Sequence, residues 1–113
     1  MPAGWPEGVA PPGSERFEAT AIEWLLSDLV PDLRASPVRR YPVALAVIAR
    51  RVTRGAVEGA RDGYRTARTE LGTALPPHAV DIALTAYRDQ GRRLAAAAKA
   101  AELVERALRG QPL

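Results

Sequence analysis

Residues 77–110 read PHAVDIALTAYRDQGRRLAAAAKAAELVERALRG, and the fold turns on this stretch. Val80, Tyr87, Leu94, Ala101 and Leu108 recur every seventh position. Leu84, Gly91, Ala98 and Glu105 hold the second seam position of the same heptads. That is the stripe of a helix packed along another helix, weakened at Gly91 and Glu105. Asp89 with Arg93, Glu102 with Arg106, and Glu105 with Arg109 are i,i+4 pairs in the favourable order. Pro77 suits a first helical turn, and Gly110 suits a C-terminal stop. The spacing predicts one long helix.

Working outward, residues 42–71 carry a matching pattern. Leu45, Ala49, Val52, Ala56, Ala60, Gly63, Ala67 and Leu71 follow the 3.6-residue period. Pro42 opens the helix, and Gly72 with Pro76-Pro77 closes it. Two helices joined by so short a link make an antiparallel hairpin. A shorter helix precedes them, with Ser14 as its expected N-cap, Glu15 and Glu18 in its first turn, and Pro31 ending it near Val30. Ser36-Pro37 predicts a single helical turn over 37–40. Residues 1–13 hold four prolines and three glycines, and read as an extended, mobile arm with Trp5 as its one adhesive residue. The expected fold is all-α: a long hairpin plus a shorter N-terminal helix, a single domain over 14–113.

Within the second helix, Gly55, Gly59 and Gly63 stand four apart, each costing about 1 kcal/mol relative to alanine. The hairpin register sets Gly55 against Ala97 and Ala98, Gly59 against Leu94, and Gly63 near Gln90 and Gly91. Small residues would then meet small ones, and the two backbones would close up. The alternative is that the glycine face serves another subunit. A phosphate-cradling loop is excluded, since GxxxGxxxG matches neither nucleotide motif and follows no strand.

Composition narrows the function. Alanine supplies 22 of the 113 residues, so the core is thin and favours a second subunit. There is no cysteine, so disulfides are excluded. The most apolar run, residues 42–49, is far short of the roughly 20 residues a membrane span needs. The first residues carry no basic and apolar signal pattern, and a cytoplasmic protein is expected. His78 is the single histidine and sits beside a turn. No zinc set, calcium loop or catalytic triad can be assembled from the spacing. Neither enzyme activity, metal nor cofactor is expected.

Charge is the remaining signal. Residues 1–32 hold six acids and one base, while residues 33–113 hold fifteen bases and seven acids. The plain reading is that the acidic segment folds against the basic remainder. Arg50, Arg54, Arg61, Arg65 and Arg68 share an arc of about 60° on the helix, over roughly 27 Å, placed opposite the apolar face. Such a stripe can track a phosphate backbone or face an acidic partner. Glu58 and Asp62 lie within reach of it, and no aromatic residues interleave.

The stretches FEATAIEWLLSDLVPDLRASPVRRYPVALAVIARR, GARDGYRTARTELGTALPP and GRRLAAAAKAAELVERALRG resemble a group of short uncharacterised helical proteins from high-GC bacteria. The resemblance implies a compact helical unit and brings no activity, cofactor or binding residue. The expected function is a non-enzymatic interaction or scaffold module that forms a homodimer. Nucleic-acid or other polyanion binding through the arginine stripe is the alternative.

Overall fold

The computed structural model describes residues Met1–Leu113. Helix α1 spans Phe17–Trp24, α2 spans Pro42–Leu71 and α3 spans Pro77–Leu108. No strand is present. Helices α2 and α3 lie antiparallel along most of their length, joined by a turn at 72–76. The molecule is elongated, 54 × 30 × 19 Å, because α1 and the N-terminal segment cover only one end of the hairpin. That covered end is the base. The uncovered end is a two-helix stalk.

The base holds the main core. Leu25, Leu26, Leu45 and Val104 are fully buried, with Ala21, Ala46 and Ala49 between them. Leu25 and Leu26, in the turn that extends α1, fill the space that alanines on α2 leave open, so large meets small across the contact. The stalk has its own small cluster, Ala67, Val80 and Leu84, flanked by Leu71 and Tyr87.

Helix α1 begins later than its sequence suggests. Ser14 Oγ accepts the Arg16 amide at 3.1 Å and fixes a turn, and the helix proper starts at Phe17. Its end also differs. Residues Leu25–Leu29 form a wide turn in which the Val30 amide reaches back five residues to the Leu25 carbonyl at 2.9 Å. Pro31 has no amide hydrogen to give Ser27, so the regular ladder cannot continue. The wider turn brings Leu25, Leu26 and Val30 to the core together. Beyond it, Ser36 caps the 3-10 turn Pro37–Arg40 by accepting the Val38 amide at 3.2 Å, as its sequence predicts. Glu23 holds this connection in place through Arg34, with contacts of 3.1 and 3.2 Å.

The N-terminal segment folds back onto the base instead of extending from it. Trp5 Nε1 donates to the Val9 carbonyl at 2.9 Å, and its ring lies 6.0 Å from that of Phe17. Val9 is buried in the main core, and the Ala10 amide donates to Thr20 Oγ1 at 2.9 Å. Gly4 and Gly8 take positive φ, which lets so short a segment reverse twice.

The expected glycine seam is corrected by the structure. A Cβ added at Gly55 or Gly59 would meet nothing within 4 Å, and both residues are exposed. Only Gly63 faces α3, where an added Cβ would collide with the Tyr87 ring. The contact at this level is with Tyr87, not Gln90. Ala98 is buried and Ala97 half-buried, but α2 meets them with Thr53, Ala56 and Val57. The physical cause is angular. A spacing of four overshoots the helical repeat by about 40° each time, so three such glycines swing about 80° around the helix. Gly55→Ala and Gly59→Ala are each expected to raise stability by about 1 kcal/mol through helix propensity. Gly63→Ala is expected to lower it by roughly 1 kcal/mol, since displacing Tyr87 outweighs the same gain. Urea unfolding of the three variants at high dilution checks both signs.

Candidate functional site

The five arginines of the sequence stripe lie beside the α2–α3 seam, not opposite it. Each one meets a carboxylate. Arg50 Nε donates to Glu105 at 2.6 Å, and Arg54 donates to Glu102 at 2.9 Å, both across the hairpin. Arg61 pairs with Glu58 at 3.1 Å, Arg65 pairs with Asp62, and Arg68 approaches Asp81 of α3 at 3.8 Å. The stripe is thus a set of charge-compensated links, three of which tie α2 to α3. Exposed pairs of this kind add about 0–1 kcal/mol each. The buried one is different in kind, because Glu105 is 11% and Arg50 23% exposed. Arg109 completes the cluster at 3.1 Å from Glu105. Burial pushes the Glu105 carboxyl up, but the hydrogen bonds and charges of Arg50 and Arg109 together outweigh it and hold the group below its usual value.

The cations without a carboxylate partner lie elsewhere. Arg88 donates to the Tyr64 hydroxyl at 3.1 Å, with its guanidinium 5.7 Å from that ring's centre. That hydrogen bond draws the Tyr64 phenol below its usual value. Arg92, Arg93 and Arg51 are exposed and unpaired. No three His, Cys, Asp or Glu side chains converge where a metal could sit, and His78 is exposed at the start of α3.

Two grooves flank the seam on opposite sides. On the arginine side, Val57, Ala60, Gly91 and Ala95 floor a groove of about 560 Å³ between Tyr64 and Tyr87. On the other side, Trp24 and Leu29 at the edge of the base meet Val52, Ala56, Leu94 and Ala97 around about 600 Å³. This second groove runs onto the outer surface of α2. There Val52 is 51% and Ile48 36% exposed, next to Gly55 and Gly59. Exposed aliphatic side chains beside bare backbone are the feature that sequence periodicity missed. The apolar period of 42–71 omits Ile48 and includes Val52, whereas both are exposed, and Gly55 and Gly59 face outward instead of toward α3.

No helix is long and apolar enough to cross a membrane. Compared with protein-family models, curated proteins and solved structures, the chain matches none.

Proposed function

We propose that this chain is a non-enzymatic helical interaction module, acting in the cytoplasm, that pairs with a second copy of itself. The pairing face is the outer surface of α2 with the groove beside it. The observation that carries this reading is the arrangement of Ile48, Val52, Gly55 and Gly59, two exposed aliphatic residues four apart followed by two exposed glycines four apart. A twofold axis midway between Val52 and Gly55 superposes the two pairs. In that antiparallel crossing Val52 of each copy lies on Gly55 of the other, and Ile48 lies on Gly59. Such a surface complements itself, as a closed twofold interface requires.

The area agrees with this. The exposed surface is 7147 Å², whereas a folded monomer of 12.1 kDa is expected to show about 6,000 Å². The surplus of roughly 1,100 Å² exceeds the ~800 Å² per partner of a standard interface. The radius of gyration is 16.9 Å, against about 13 Å for a compact chain of this length. A second hairpin laid on α2 would restore ordinary proportions and bury Val52 and Leu94.

The polyanion alternative has less support. All five arginines that suggested it are already matched to carboxylates, so phosphate contacts would have to displace those pairs. Sedimentation velocity across the micromolar range tests the pairing. The expected result is a species of twice the 12.1 kDa chain mass, with Val52→Glu raising its dissociation constant by about tenfold or more. A single-copy species throughout would sink it.

A further inference from the structure

The groove on the arginine side is untouched by that pairing and has its own chemistry. Two cross-helix links bound it. Arg54–Glu102 closes the end nearer the base at 2.9 Å, and Arg88–Tyr64 closes the far end at 3.1 Å. Residues 54 and 64 are about 15 Å apart along the helix. The trough between these links is short, the length of a small molecule. Its volume of about 560 Å³ continues into a further 470 Å³ past Arg61 and Ala95, within the range of small-molecule sites.

The floor is flat and apolar, with no side chain larger than valine: Val57, Ala60, Gly91 and Ala95. Gly91 leaves ordinary contact room, since an added Cβ would stand 3.9 Å from Ala60. The α3 wall of the first volume is cationic, whereas the continuation past Arg61 carries Glu58 and Glu102 beside Arg54 and Lys99. Arg88 and Arg92 are one turn apart on α3, and neither has a carboxylate partner. Arg61 and Arg65 rise from α2, held only by exposed pairs within their own helix. A neutral phenol is a poorer acceptor for a guanidinium than an anion is. Arg88 therefore has more to gain from an incoming carboxylate or phosphate than from Tyr64.

We propose that this trough binds a small organic anion, with a carboxylate or phosphate head on Arg88 and Arg92 and a flat apolar body on the Val57–Ala95 floor. Tyr87, fixed above Gly63, bounds the body on one side. The Tyr64 hydroxyl, once released by Arg88, can donate to the same head group. A bare inorganic anion leaves the floor unused, and a neutral ring leaves the guanidinium pair unused. Both halves are needed for affinity.

The test is calorimetric titration of the full chain with 2-naphthoate, 2-naphthyl phosphate, 2-naphthalenemethanol and inorganic phosphate. At least one naphthyl anion should bind saturably, and the neutral alcohol and inorganic phosphate about tenfold or more weaker. The stronger of the two naphthyl anions identifies the head group. The double substitution Arg88→Gln, Arg92→Gln should weaken binding about tenfold or more. Ala95→Glu, which places a negative charge on the exposed floor of a helix that tolerates it, should do the same with the thermal midpoint preserved. The proposal is overturned if neither anion binds at millimolar concentration. It is equally overturned if the neutral alcohol binds as well as the anions, or if both variants bind like the parent chain.

Discussion

Glu105→Ala is expected to destabilise the chain by about 2–4 kcal/mol at neutral pH, the scale of breaking a mostly buried ion pair. The loss does not measure the attraction alone. Removing the carboxylate strands the Arg50 guanidinium, 23% exposed, with no acceptor in place of the one at 2.6 Å. Arg109 loses its partner at the same time. Replacing both members, Arg50→Met with Glu105→Leu, should recover most of the loss, since the buried guanidinium goes with the carboxylate and only Arg109, 42% exposed and open to water, is left unpaired. The pH dependence follows from the direction of the Glu105 shift. Its folded value is depressed, so its stabilisation is fully present above the ordinary value of 4.5. It is lost as pH falls below that and through the depressed value. Urea midpoints of parent and Glu105→Ala, followed from neutral pH to below 4.5, should therefore draw together on acidification. A gap that stays constant would show that Glu105 acts through packing and not charge.

Leu25→Ala is expected to cost about 3–5 kcal/mol, near the upper end for a buried leucine. Leu25 is fully buried, and its neighbours Ala21, Ala46 and Ala49 are too short to move into the gap. The substitution also loosens the wide turn that it begins, so α1 should detach from α2 before the hairpin itself opens. Hydrogen exchange would show this as early loss of protection at residues 17–30. Leu84→Ala in the stalk should cost visibly less, because its cluster holds only two other buried residues. Equal costs at Leu25 and Leu84 would contradict the division into base and stalk.

Much of the fold was legible. The heptads of residues 80–108 and the matching period of 42–71 specify the hairpin, because both helices bury one narrow stripe along their length. Ser36-Pro37 identified its own turn. Features that depend on the third dimension were not legible. Glu105 reads as a defect in the seam and Arg50 as part of a stripe opposite the apolar face, yet each accounts for the other across 55 residues of sequence. The N-terminal segment was read from its prolines and glycines, whereas Trp5 and Val9 set its position. The candidate faces were half legible. The arginines were found, but their carboxylate partners on α3 depend on register. The exposure of Ile48 and Val52 depends on how little of α2 is covered by α1.

The main core draws Val9 and Leu25 from the first quarter of the chain and Val104 from the last helix. A ribosome makes these residues far apart in time. While α2 is being synthesised, Leu25, Leu26 and Leu45 have no Val104 to close over them. The hairpin can begin to zip from the turn at 72–76, where contacts are local, but it does so as a stalk without a base. The emerging chain therefore carries its largest apolar side chains unsealed until α3 has been nearly completed. Chaperone engagement of the nascent polypeptide should centre on residues 21–49 and end abruptly once Val104 has cleared the exit tunnel.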